Sequence, residues 1–366
     1  MCTGCGMVGK PVEELDTPAL LVDLSYLECN IARTMSLLRE HGVNWRPHAK
    51  AHKVPAIAHM EIRAGAIGIA CAKLEEAEVM VAAGIQDVLI ANQVVGARKA
   101  IRLANLCRQA RVTVAVDCVD NVLELDAAAQ HLGVRIPIVV ELDIGMERCG
   151  VQPGEAALDL SRKVHSCQAL QYVGLMAWEG HARKIVDAEL RRAACEASVG
   201  LLAETAQLCI QAGLPVEAVS CGGTGTERFS SRVEGVTEIQ AGGIIFNDEY
   251  YSSLGLDHDF ALTVLSTVVS RPNATRIVTD AGRKAMSADR KAPRPIGLAH
   301  VASISLAAEH GRIELSIPDT EPRVGERVEW VVGYADTTVC LHDTMYGTRD
   351  GIVEVVWPIA ARGKLQ

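Results

Sequence analysis

At 366 residues the chain can bury one large domain and a smaller companion, and 49% hydrophobic against 22% charged residues is ordinary globular composition. A net charge of −9 without any run of Lys or Arg excludes a nucleic-acid footprint and favours a small polar substrate. No stretch is seen to approach the ~18 apolar residues of a membrane helix, and Met1-Cys2-Thr3-Gly4-Cys5-Gly6 lacks a signal-peptide pattern, so no membrane is expected as a partner and the expected compartment is cytoplasmic.

In chain order, the apolar run Ala19-Leu20-Leu21-Val22-Asp23 precedes a helical stretch over 25–40, opened by Asp23 or Ser25. Eight strand candidates follow. They are the segment ending in Arg46-Pro47-His48-Ala49-Lys50, then 67–70, 88–91, 112–116, 136–140, 172–176, 218–220 and 238–240. Longer amphipathic stretches lie between them, such as Lys73 to Ala83 closed by Gly84 and Asp187 to Ala212 closed by Gly213. This alternation predicts an α/β fold, an eight-stranded β/α (TIM-type) barrel, followed by a C-terminal β domain signalled by Ala261 to Val269 and Arg327 to Val332. The expected division is 1–255 for the barrel and 256–366 for the β domain, with the first residues able to join the latter. Twelve cysteines, scattered singly, read as reduced packing residues; only Cys2 and Cys5 have redox or zinc spacing, and no second pair accompanies them.

In a β/α barrel, polar residues at the C-terminal strand ends carry the chemistry. The first barrel strand ends in the cationic cluster from Trp45 to Lys53. A lysine amine desolvated there, beside Arg46 and Lys53, would have a lowered pKa and form Schiff bases, which singles out Lys50. A solvated basic loop is the bland alternative. Ser220-Cys221-Gly222-Gly223-Thr224-Gly225-Thr226 is a glycine-rich turn whose N–H groups can surround a phosphate, without the spacing of a nucleotide loop. A second turn, Gln240-Ala241-Gly242-Gly243, follows the next strand, and late β-α loops that share a phosphate recur in barrels.

With these motifs the chain resembles the D-threonine aldolase, D-serine dehydratase and 3-hydroxyaspartate aldolase group of alanine-racemase-like pyridoxal phosphate enzymes. The resemblance runs through Asp16-Thr17-Pro18, Arg46 to Lys50, Asp143-Ile144-Gly145-Met146-Glu147-Arg148-Cys149-Gly150, Trp178-Glu179-Gly180-His181, Gly222 to Gly225, Asp280-Ala281-Gly282 and Trp357-Pro358. It implies a barrel with a β domain, a homodimer, and pyridoxal 5'-phosphate held as a Schiff base by Lys50. Arg148 and Trp178 would lie beside the cofactor ring, and Gly222, Gly223, Thr224, Gly225, Gln240, Gly242 and Gly243 would receive the phosphate. His181 joins Lys50 as a candidate catalytic residue and Glu179 as a proton-transfer group, since imidazole titrates near neutrality.

One departure bears on the reaction. Family members hold a divalent metal with a His-x-Asp or His-x-Cys pair, whereas Gly333-Tyr334-Ala335-Asp336 places tyrosine where the histidine belongs. Asp336 is then the one candidate metal ligand, with His342 and Asp343 nearby, and a phenol must first lose a proton of pKa near 10. Retro-aldol cleavage of a D-3-hydroxy amino acid to glycine and an aldehyde leads the readings. Dehydration of D-serine or 3-hydroxyaspartate, racemisation or epimerisation, and a non-catalytic pyridoxal phosphate carrier are the alternatives.

Overall fold

A computed structural model describes residues 5–366, so Cys2 of the Cys2/Cys5 pair lies outside the described residues. In chain order the first strands are β1 (Ala19–Asp23), β2 (Asn44–Trp45), β3 (Ile69–Cys71), β4 (Asp87–Gln93), β5 (Arg111–Val116), β6 (Ile136–Leu142), β7 (Leu170–Ala177), β8 (Ala218–Cys221) and β9 (Glu238–Ile239). Strands β2 to β9 form one parallel sheet in the order β2-β9-β8-β7-β6-β5-β4-β3. Its ends meet: the Ile67 N–H donates to Trp45 O at 2.9 Å, the Ala70 N–H donates to Pro47 O at 2.8 Å, and His48 bridges Ala70 in parallel. The expected eight-stranded barrel is therefore present, with helices between its strands.

Strand β6 is buried along its whole length because one face lines the lumen and the other meets helices. Leu89, Ala115, Val139, Val173 and Met176, from four neighbouring strands, pack as a lumen layer to which no helix contributes. The helices end as the glycines predict: Gly84 (φ +94°) and Gly213 (φ +81°) turn the chain, and the next residues donate back, Ile85 to Met80 O and Leu214 to Cys209 O. Helix Ala188–Gln211 starts on Asp187, whose carboxylate accepts the N–H groups of Glu189 and Leu190 at 3.0 and 2.9 Å. Against the expectation from sequence, this helix is long and apolar enough to cross a membrane. Its buried residues Cys195, Val199, Leu202, Ala206 and Cys209 recur at helical spacing, as on a helix with one face packed on a sheet.

The remaining strands are β10 (Leu262–Asn273), β11 (Arg276–Thr279), β12 (Arg294–Pro295), β13 (Val301–Leu306), β14 (Gly311–Leu315), β15 (Arg327–Val331), β16 (Thr344–Arg349) and β17 (Ile352–Pro358). They build a nine-stranded sheet together with β1, which pairs antiparallel with β10 (Ala19 opposite Leu265) and parallel with β16. By contacts the chain divides into two compact units. One holds 1–32, 51–54 and 243–362; the other holds 33–50, 55–242 and 363–366. The change of unit at 243 falls ahead of the 255/256 boundary drawn from the strand pattern, because the second glycine turn passes directly into the β unit. The cysteines from Cys29 to Cys340 are free thiols.

Candidate active site

Lys50 follows β2 in a single 3₁₀ turn, Ala49–Ala51, at the C-terminal end of the barrel strands, and is exposed. Its backbone N–H donates to His48 Nδ1 at 3.4 Å. Arg46, expected to crowd Lys50 with positive charge, does something else. Its buried side chain donates from Nε to Glu238 Oε1 at 3.0 Å and from Nη1 to Asp87 Oδ1 at 2.6 Å. Asp87 and Glu238 begin β4 and β9, so the guanidinium is spent at the N-terminal floor of the barrel, where charges serve stability. Gly68 leaves it room: a Cβ there would stand 2.5 Å from Arg46 Nη1.

At the other end, β8 opens into the glycine loop. Gly222 and Gly225 have φ +77° and +94°, and a Cβ on Gly223 would stand 2.3 Å from the Trp178 ring. Loop and indole therefore form one surface, with the Arg183 guanidinium 5.0 Å from the centre of that ring. Two of the loop N–H groups are taken by the chain's own side chains. Glu179 accepts from Gly222 N at 3.3 Å, and Glu227 Oε2 accepts from Gly225 N at 2.6 Å, both carboxylates being buried. Burial pushes the Glu227 pKa up, against its backbone hydrogen bonds.

Glu179 also accepts the hydroxyls of Thr226 and Ser230, each at 2.6 Å. These bonds tie it to the loop and to the short helix that follows. His181 is half-buried; Nε2 lies 3.2 Å from Ser198 Oγ, Nδ1 is buried with no hydrogen-bond partner, and a Cβ on Gly145 would stand 2.7 Å from its Cε1. The ring thus braces the loop from Asp143 to Gly150, which carries Arg148. In the second turn, Gln240 Nε2 donates to Ser220 Oγ at 2.8 Å and so ties both glycine turns together. Gly242 is required by backbone approach, since a Cβ there would be 2.2 Å from His48 O.

Glu141 and Gln93 at the lumen top were missed from sequence. Gln93 Nε2 donates to Glu141 Oε2 at 2.5 Å, and Glu141 Oε1 lies 4.0 Å from Arg148 Nη2. The signal was an acid near the end of an otherwise apolar strand, two residues after the lumen residue Val139.

Within the β unit, Tyr334, Tyr250 and Tyr251 pack with ring centroids 5.4 to 5.7 Å apart. Tyr334 caps the helix Ala335–Val339 and donates its hydroxyl to Asp336 Oδ2 at 3.1 Å. Gly243 lies against this group, since a Cβ there would be 2.8 Å from Tyr251 and 3.3 Å from Asp336 Oδ1. Asp248 accepts from Tyr251 N at 2.7 Å and Ala335 N at 2.8 Å, and burial raises its pKa to about 7. His342 is turned to Ala285 O at 2.8 Å. The phenol of Tyr334 and the Asp336 carboxylate, the two positions where the resemblance expects a metal pair, are joined here by that hydrogen bond. No group of three or more His, Cys, Asp or Glu among the described residues has the arrangement to hold an ion.

A parallel barrel with an exposed lysine and a glycine-rich turn beside an indole at the C-terminal ends of its strands, followed by a β unit, has the organisation of a β/α-barrel enzyme with its site at that mouth. The alanine racemase N-terminal domain family matches residues 22–249, and the putative serine dehydratase domain matches 261–348. The chain is 36% identical to a D-threonine aldolase of Arthrobacter sp, over 97% of this chain and 95% of that one. It is likewise 36% identical to a 3-hydroxy-D-aspartate aldolase of Paracoccus denitrificans (strain Pd 1222), over 97% and 94%. The crystal structure of D-threonine aldolase from Filomicrobium marinum superimposes with a TM-score of 0.95 at 35% identity, covering 98% of this chain and 99% of that one. The chain belongs to the alanine-racemase-like enzyme family, in the group of D-threonine and 3-hydroxy-D-aspartate aldolases, whose members are lyases.

Proposed function

We propose that this enzyme is a pyridoxal phosphate lyase that cleaves D-3-hydroxy amino acids between the α- and β-carbons, giving glycine and an aldehyde. The observation that supports this is the placement of Lys50 and the glycine loop Gly222–Gly225 at the C-terminal ends of the same barrel's strands. The mouth fits the cofactor that the family implies. Lys50 would hold it through its amine, the two glycine turns with Thr224 and Gln240 would receive its phosphate, and Trp178 and Arg148 would border its ring. When bound, the cofactor supplies the electron sink that lets a bond at the α-carbon break.

The protein's own part is to orient and to exclude water. Trp178 closes the face of the loop, Glu179 fixes the loop's shape, and His181 braces the segment that carries Arg148. Tyr334 and Asp336 act as a hydrogen-bonding pair, and no step is assigned to a metal. Dehydration is the second reading, favoured by the serine dehydratase match over 261–348; it would yield a 2-oxo acid and ammonia in place of glycine. Lys50→Ala is expected to remove the visible absorbance of the lysine-bound cofactor and all turnover, while far-ultraviolet circular dichroism stays unchanged. A variant that keeps the band would overturn the lysine assignment.

A further inference from the structure

Three acids stand about the loop that carries Arg148, and they have different partners. Asp143 Oδ1 accepts the N–H groups of Gly145 and Glu147, each at 3.0 Å, and Asp117 Oδ2 accepts the Gly150 N–H at 3.1 Å. Both thereby fix the backbone of the loop. That loop doubles back sharply: Gly145, Glu147 and Gly150 have φ +121°, +52° and +112°, and Val151 N–H donates to Glu141 O at 2.9 Å.

Glu141 turns its side chain the other way. Alternation along β6 puts it on the lumen side with Val139. There Oε2 is fixed by Gln93 and Oε1 faces the Arg148 guanidinium. The Glu141 side chain is 4% exposed and that of Arg148 is 55% exposed. The carboxylate is thus the buried, hydrogen-bonded member of the pair and the guanidinium the exposed one. Burial pushes the Glu141 pKa up; Gln93 and Arg148 draw it back, and Asp117 and Asp143 add to the rise. A carboxyl this buried is retained at a cost unless its charge has a use.

We infer that Glu141 is the positioning residue for Arg148: a charge fixed by Gln93 at the top of the lumen, which holds the guanidinium over the mouth and so sets how it meets the cofactor ring. This rests on the cofactor reading above. Glu141→Gln keeps the shape and an oxygen to accept from Gln93 but removes the charge. It is expected to weaken pyridoxal phosphate binding roughly tenfold, between the worth of a screened pair and that of a pair at low dielectric. The pH at which the visible band changes should also move, in a site where Asp117, Asp143, Arg148 and Cys149 face Glu141.

The test is a double-mutant cycle on apoenzyme titrated with pyridoxal phosphate and read by absorbance. If Glu141 acts through Arg148, Glu141→Gln in an Arg148→Gln background has no further effect on affinity or on the band's pH dependence. Effects that add would overturn the inference. Gln93→Met, which frees the carboxylate while keeping its charge, should give a smaller change in the same direction; no change there would also count against it. A wild-type protein that shows no visible band with added pyridoxal phosphate would instead sink the cofactor reading itself.

Discussion

Tyr334 stands where the resemblance expects a histidine. The sequence exposed it because a single position departs from the family's metal pair, and the structure gives the departure a geometry, a phenol donating to Asp336. Neutral imidazole coordinates divalent ions readily, whereas a hydrogen-bonded phenol does not. Wild-type activity is therefore expected to withstand dialysis against a chelator, and Tyr334→His, which creates a His-x-Asp pair, to gain divalent-metal affinity measurable by elemental analysis. Stoichiometric Mn²⁺ or Zn²⁺ in the wild type, stripped along with its activity, would contradict this. Lys50 and the glycine loop were legible because their residue types stand at strand ends, where chemistry is expected. Arg46 and Glu179 were not, because a cation or acid near a mouth reads as part of it. Which way the side chain points depends on partners far along the chain, Asp87 and Glu238 for Arg46, and Gly222, Thr226 and Ser230 for Glu179.

At the scale of elements, the alternation of strand and helix was legible because buried parallel strands are short apolar runs and the helices between them end on glycine. Strands β2 and β9 are two residues long, and their existence could be inferred only from the regular spacing of the others. The sequence reading allowed the first residues to join the β domain, but which strands receive β1 could not be read, since its partners β10 and β16 lie near the other end of the chain. The floor of the barrel is closed by charge where strands are this short. Arg46 ties β2 to β9 and β4, and Arg111 extends the set to Asp87 at 3.8 Å and Glu217 at 3.3 Å. Arg46→Met removes a cation from beside Glu238, whose side chain is 5% exposed. An unpaired buried carboxylate costs about 3–5 kcal/mol, so denaturant unfolding should show a loss of that order. A loss under about 1 kcal/mol, the worth of a surface pair, would mean the floor network is not structural.

For the whole molecule, the family profiles follow one another along the chain, 22–249 and then 261–348, and the D-threonine aldolase resemblance spans nearly its full length. Fold and cofactor class follow from that architecture together with the mouth's chemistry. Which bond breaks is not fixed by that architecture, since the relatives include aldolases named for two substrates and a dehydratase. The homodimer implied by the resemblance would be read from sedimentation. The most direct measurement is to incubate the protein, reconstituted with pyridoxal phosphate, with D-threonine, D-3-hydroxyaspartate and D-serine, with and without divalent metal, and to identify products by mass. The account predicts glycine and the matching aldehyde from a 3-hydroxy substrate, with no requirement for added metal. A 2-oxo acid with ammonia, or recovery of the opposite enantiomer alone, would contradict it.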